Sequence, residues 1–216
     1  MRTKKVIVPI EISARHIHIS RKDLDTLFGK GYELTPFKPL SQTQQYAAEE
    51  TVQVETLASR GKPTEERFTF GKAPNRNTVR ILGPVRPHTQ LEISLTDAIN
   101  LGIKPQLHVS GDIKGTNQKL VIIGPKGEFI LMHGVIVPIR HIHASDKDAK
   151  KYGLKDRQTV TVKTAGLRPL IFANVIIRVH ETFRWNMHID VDEANAAGIA
   201  MGAKGEVIIS KHDSHF

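Results

Sequence analysis

Two histidine pairs dominate the chemistry that this sequence can support. Ala14-Arg-His-Ile-His-Ile-Ser20 returns, far down the chain, as Ile139-Arg-His-Ile-His-Ala-Ser145. In an extended strand residues i and i+2 share a face, so His16 projects with His18 and His141 with His143. One such pair is a weak signal, because most histidines are ordinary core or surface residues. Two copies say more: duplication preserves sequence for packing, but packing does not demand two imidazoles per copy. Imidazole suits zinc, and zinc sites commonly combine two His with a third His or a carboxylate. The chain has no cysteine, which removes thiolate metal sites, disulfides and a cysteine nucleophile together. Any metal must therefore be held by His, Asp or Glu.

A fainter repeat offers the third ligands. Leu91-Glu-Ile-Ser-Leu-Thr-Asp-Ala-Ile-Asn-Leu-Gly-Ile103 aligns with Met187-His-Ile-Asp-Val-Asp-Glu-Ala-Asn-Ala-Ala-Gly-Ile199, which sets Glu92 opposite His188. The alignment predicts two sets, His16/His18/Glu92 and His141/His143/His188, each with an open coordination position, the mark of catalytic zinc. Two other readings of His-x-His fail. A cupin wants a Glu after the second His, where this chain has Lys22 and Lys147. An amidohydrolase needs an alternating barrel of about 250 residues, which the short strands here do not supply.

The elements that must position these residues are also duplicated. Ser20 and Ser145 each precede a polar, helix-compatible stretch with an acidic residue at the third following position, Asp23 and Asp148, and a terminating glycine, Gly29 and Gly153. Both read as variants of the capping box. The second repeat reads as a short strand feeding a capped helix of about two turns. Elsewhere the pattern is β-rich, with strands expected at Val6–Ile12, Thr51–Thr56, Arg67–Phe70, Thr78–Leu82, Lys119–Ile123, Phe129–Leu131, Gly134–Ile139, Thr159–Lys163, Leu170–Val179 and Glu206–Ser210. Gly, Pro and Asn punctuate them at short intervals, as in small barrels rather than a layered α/β sheet. Ser59–Asn77 reads as a long hairpin with a mobile tip. The tail Lys211–Phe216 reads as disordered, so His212 and His215 are poor ligand candidates.

Composition narrows the partners. The 216 residues are 39% apolar and 25% charged, an ordinary globular balance, and carry a formal charge of +9. That charge favours anionic partners such as phosphorylated small molecules. No run of five like charges and no RNP-type aromatic motif points to nucleic acid, and an RNA-binding barrel with structural histidines ranks last. No apolar run approaches the roughly 18 residues of a membrane span. The opening residues lack the apolar core of a secretory signal, and the cytoplasm is the expected compartment.

Several ordered motifs together resemble the phosphate propanoyltransferases, the PduL-type phosphotransacylases, from about Ile7 to Ile209. They are Ser13-Ala-Arg-His-Ile-His-Ile-Ser20, Leu40-Ser-Gln42, Ala47-Ala-Glu-Glu-Thr-Val52, Leu82-Gly-Pro-Val-Arg86, Thr89-Gln-Leu-Glu-Ile-Ser94, Ser110-Gly-Asp112, Arg140-His-Ile-His143, Met187-His-Ile-Asp190 and Asp192-Glu-Ala-Asn-Ala-Ala-Gly198. The resemblance implies a mainly β fold: two small β-barrels with short capping α-helices, internally duplicated. One barrel spans 14–139, and the other takes 1–13 together with 140–210. It implies two zinc ions per chain in a site between the barrels, one on His16, His18 and Glu92, the other on His141, His143 and His188.

The implied reaction converts acyl-CoA (propanoyl or acetyl) and phosphate into acyl phosphate and CoA, with a two-zinc hydrolase as the alternative. By the same resemblance Arg86, shortly before the glutamate ligand, is the catalytic arginine. Gln42, Gln45, Gln90, Ser110 and Arg178 line the reacting centre, and Ser13, Lys38, Arg80, Leu82 and Asn195 contact CoA. Read alone, Arg86 is a loop arginine between Pro84 and Pro87 whose guanidinium suits a phosphate clamp. Partners implied are CoA or acyl-CoA, phosphate and a further copy of the chain, as a homodimer or larger homo-oligomer, with no nucleic acid and no membrane. The chain departs from the family pattern at Ala14, at Thr43-Gln44 where Pro-Gly is usual, at His180-Glu-Thr-Phe-Arg184 and at Trp185. Barely a strand precedes His16, leaving no room for an encapsulation extension, so a freely cytoplasmic enzyme is expected.

Overall fold

Alternation decides the architecture. In a computed structural model that describes residues 5–60, 77–104 and 106–209, the Ile17 and Ile19 side chains of the first His-x-His segment are fully buried, as are Ile142 and Ala144 of the second. Period-2 sequences of this kind form strands whose apolar side packs on a core. The described residues form fifteen strands and four α-helices. In chain order these are β1 (Val6–Ser13), β2 (His16–Ser20), α1 (Arg21–Phe28), β3 (Pro36–Pro39), β4 (Tyr46–Thr56), β5 (Thr78–Arg86), β6 (Gln90–Glu92), α2 (Leu95–Asn100), β7 (Leu107–His108) and β8 (Leu120–Ile123). There follow β9 (Glu128–Leu131), β10 (Val135–Pro138), β11 (His141–Ala144), α3 (Asp146–Tyr152), β12 (Thr159–Thr164), β13 (Ile171–Val179), β14 (Asn186–Asp190), α4 (Val191–Ala197) and β15 (Lys204–Ile208).

The chain divides into two compact units. One is built from residues up to Ala14, Ser41–Thr43 and the chain from Ile139 onward. Its six strands close into a barrel in the order β1-β14-β11-β13-β12-β15, with β15 pairing back on β1. Val8, Ile10, Ile142, Val162, Val175, Ile177, Met187 and Ile189 fill it. Closure leaves no unpaired edge to seek another strand.

The other unit comprises Arg15–Leu40 and Gln44–Pro138. Its strands run β7-β10-β6-β2-β5-β4-β8-β9, with β3 paired on β4. This sheet is a half-barrel, open among the described residues. Ile17, Ile19, Leu24, Leu27, Ile81, Leu91, Leu120 and Ile122 form its core.

Most expected strands fall within a few residues of their observed limits. Two strands were not anticipated: the proline-bounded β3 and the two-residue β7, both too short or too irregular to show a period. The expected Arg67–Phe70 strand, the interior of the Ser59–Asn77 hairpin and the Lys211–Phe216 tail lie outside the described residues.

All four helices begin at a capped residue. Ser94, Ser145 and Asp190 form complete reciprocal capping boxes with Asp97, Asp148 and Glu193. At α1 the Ser20 hydroxyl accepts from the Asp23 amide, but the return leg differs from the expected box. Here the Ser20 amide donates to Thr89 Oγ1 at 2.9 Å, and the Thr89 hydroxyl in turn donates to Asp23 Oδ2. A residue distant in the sequence thus substitutes for one half of the box and ties α1 to the start of β6.

Because the core isoleucines hold the register that aims the histidines, their truncation tests the architecture. Ile142→Ala is expected to cost about 2–5 kcal/mol and Ile142→Val about 0.5–1.5 kcal/mol in urea unfolding. An Ile142→Ala protein within about 0.5 kcal/mol of wild type, a typical surface-substitution effect, would contradict this packing.

Candidate functional site

Each unit gathers its histidines by the same wiring. In the half-barrel unit β2 is flanked by antiparallel β6, which sets His16 opposite Glu92 and His18 opposite Gln90. On its other side lies parallel β5, pairing His16 with Arg80 and His18 with Leu82. In the closed barrel β11 has antiparallel β14 on one side, with His141 opposite His188 and His143 opposite Asn186. Parallel β13 lies on the other, with His141 opposite Ile176 and His143 opposite Arg178. The alignment of Glu92 with His188 in the sequence is therefore also an equivalence of cross-strand position.

His16, His18 and Glu92 each bring one ligand atom to within 4.8 Å of the others, the tightest such group among the described residues. The two rings meet edge-on at 5.1 Å, and His16 Nε2 lies 3.5 Å from Glu92 Oε2. The other carboxylate oxygen, Oε1, accepts from Gln90 Nε2 at 2.6 Å and from Ser110 Oγ at 2.6 Å. Gln90 Oε1 accepts from the Gly111 amide at 3.0 Å, which fixes the orientation of the glutamine amide. Glu92 is only 5% exposed, and its two supports are neutral. A buried carboxylate is costly unless hydrogen bonds or a cation compensate it, and two nitrogens plus one oxygen is a donor set that suits a divalent cation.

Protonation favours the same reading. Burial holds the His18 imidazole well below the usual histidine range, and His16 and Arg86 push it further in that direction. A neutral ring is the form that binds metal. Its Nδ1 is buried without a hydrogen-bond partner.

The closed-barrel trio is looser. Ring centroids of His141, His143 and His188 lie 4.7, 5.2 and 4.6 Å apart, yet the three do not bring their ligand atoms within 4.8 Å of one another. His143 has two close neighbours besides the other imidazoles: Phe183 stacks on it at 3.9 Å, and Arg178 extends a guanidinium nitrogen to 3.4 Å from its Nε2. His141 is better prepared. Its Nδ1–H donates to the Ile139 carbonyl at 2.8 Å, leaving a lone pair on Nε2. Burial lowers its basicity well below the usual value, helped by His188 and Arg178.

The remaining expected site residues are distributed as follows. Arg86 ends β5, opposite Ser20, half-buried and within electrostatic reach of His18. Gln42 is buried in the closed-barrel unit, where it accepts from the Arg184 amide at 3.4 Å, whereas Gln45 belongs to the half-barrel unit. Ser13 ends β1 opposite Asp190, and Asn195 is exposed on α4. Lys38 is exposed on β3, opposite Ala47, and Leu82 sits beside His18 on β5. Arg80 is engaged with its own unit: its guanidinium donates to the Ala48 and Glu49 carbonyls and lies 5.3 Å over the Phe37 ring.

Two residues escaped the sequence reading. Phe183 lies within the unusual His180–Arg184 segment but has no spacing that links it to His143. Glu11 places Oε2 3.6 Å from His188 Nδ1; its only signal was a lone carboxylate within the apolar run of β1. Gln44, where the family pattern has glycine, adopts a positive φ of 64°. The loop thus keeps a glycine-like backbone with a side chain that pays about 1 kcal/mol for it.

The depressed imidazoles have a measurable consequence in the metal-free protein. Unfolding returns His18 and His141 to about pKa 6.5, so below that pH the unfolded chain takes up protons that the folded chain refuses. Stability is therefore expected to fall as pH drops from 7 toward 5. Asp190 and Glu193, whose carboxyls burial pushes up, oppose this at the acid end. The difference between wild type and His18→Gln in urea unfolding at each pH isolates the imidazole contribution. Parallel pH profiles would contradict it.

Comparison with known proteins identifies the family. A family model described as phosphate propanoyltransferase matches residues 9–200. A phosphate propanoyltransferase of Thermotoga maritima is 48% identical over 194 residues, covering 89% of this chain and 85% of its own length. Those of Clostridioides difficile and Rhodobacter capsulatus are 43% and 45% identical, covering 95% and 91% of this chain and 90% and 84% of their own lengths. With similarity of this extent running through both histidine pairs and both third positions, the chain belongs to the phosphate propanoyltransferase family.

Proposed function

We propose that this chain is a zinc-dependent phosphate acyltransferase that interconverts acyl-CoA (propanoyl- or acetyl-CoA) and phosphate with acyl phosphate and CoA. The observation that carries the reading is the convergence of His16, His18 and Glu92 beside an arginine, in a chain of this family. His16, His18 and Glu92 would hold one zinc ion and His141, His143 and His188 a second. Bound there, zinc supplies Lewis acidity toward an oxygen of phosphate or of the thioester carbonyl.

In the forward direction a phosphate oxygen attacks the thioester carbonyl carbon, the C–S bond breaks and CoA departs as the thiolate, which then takes a proton. The chain's own part is to hold and aim charge. Arg86 suits a bidentate clamp on phosphate, which neutralises the nucleophile's repulsion and offsets charge on the tetrahedral intermediate. Gln90 and Ser110 hold the Glu92 carboxylate in one orientation, a task that competes with direct contact to substrate. Lys38, Ser13 and Asn195 remain available to the CoA nucleotide, while Arg80 would have to exchange its carbonyl contacts for phosphate. A cysteine acyl-enzyme is ruled out by composition, so transfer is direct or uses another nucleophile.

Release of CoA from propanoyl-CoA, followed with a thiol reagent, is expected to depend on added phosphate. Arg86→Ala is expected to lose about 10²–10³-fold in kcat with unchanged zinc content. His16→Ala and His141→Ala are each expected to lose one of two zinc ions per chain. Phosphate-independent release would replace transfer with thioester hydrolysis, and full zinc content in both histidine variants would remove the metal assignment.

A further inference from the structure

We infer that Glu11 is a positioning residue for His188, holding its imidazole in the tautomer that presents Nε2; this rests on the proposal that His188 ligates a metal ion. Strand β1 runs parallel to β14 with Glu11 directly opposite His188. The carboxylate Oε2 lies 3.6 Å from His188 Nδ1, and the Ser41 hydroxyl donates to that same oxygen at 2.6 Å. All three residues belong to the closed-barrel unit. A carboxylate facing Nδ1 favours the proton on that nitrogen and leaves the lone pair on Nε2.

The surroundings repeat the device by other means. His141 is set in the same tautomer by the Ile139 carbonyl at its Nδ1. Glu92, which holds in the half-barrel unit the cross-strand place that His188 holds in the barrel, is also locked by a hydroxyl, that of Ser110. Each half therefore orients its third ligand with a serine: directly where that ligand is a carboxylate, through a carboxylate where it is an imidazole. Glu11 is not itself gathered with the trio, since no group containing it brings ligand atoms within 4.8 Å among the described residues.

The test compares Glu11→Leu and Glu11→Gln, which have similar size but differ in whether an acceptor remains at Nδ1. Zinc affinity of the full chain is measured by competition with a chromophoric chelator, and the His188 tautomer by long-range ¹H–¹⁵N spectra. Glu11→Leu is expected to weaken one of the two zinc ions about 10–100-fold and to lose the Nδ1–H tautomer, with Glu11→Gln recovering part of both. The two variants behaving alike, whether both as wild type or both equally weakened, would overturn the positioning role. His188→Ala serves as the separate control: if it keeps both ions, the metal reading fails with Glu11 untouched, whereas if it loses one and the Glu11 variants behave alike, only the present inference fails.

Discussion

Everything at the two candidate centres depends on the register of two short strands. In β2 and β11 one face carries isoleucine or alanine into a core and the other carries the imidazoles. A slip of one residue would exchange these faces, bringing histidine into apolar packing and isoleucine to the site. The burial of Ile17, Ile19 and Ile142 therefore specifies the imidazole-bearing side as firmly as any interaction among the histidines. It also explains why the repeated block includes the intervening isoleucine: the apolar residue is the anchor and the imidazoles on either side are its consequence.

From that constraint follows an economy of construction. A strand flanked by one antiparallel and one parallel neighbour receives Glu92 or His188 from the first and a basic or apolar companion from the second. The two halves use this plan with different chemistry. With Glu92 the half-barrel group has a buried anion that needs hydrogen-bond support, which Gln90 and Ser110 provide. With His188 the barrel group has a third imidazole where the other unit has a carboxylate, and the Glu11 carboxylate lies 3.6 Å from its Nδ1.

The parts legible in the sequence are those written in local periods or in repetition. The histidine pairs, the serine caps with their acidic partners and most strands could be read from neighbours along the chain. The third positions, Glu92 and His188, emerged only because the chain repeats itself. What stayed hidden arises from register between distant segments. Nothing in the spacing of Thr89 says that it completes the cap of α1, and nothing in Glu11 or Phe183 says that a strand or loop brings it to an imidazole. The half-barrel is a similar case, because closure depends on whether edge strands meet, and a two-residue strand such as β7 leaves no periodic trace.

The arginines raise a final point about balance. Arg86 and Arg178 each lie close enough to an imidazole to discourage its protonation, which keeps the ring in its metal-binding form. The same positive charge repels a cation. The conflict is resolved if the guanidinium has an anion to turn to, since a phosphate then satisfies the arginine while the imidazoles satisfy the metal. At His143 Arg178 places a guanidinium nitrogen 3.4 Å from Nε2 and lies over the Phe183 ring. Were a cation held by the barrel imidazoles and an anion by Arg178, that one side chain would couple the two, and each would favour the other by the reciprocity that linked equilibria require.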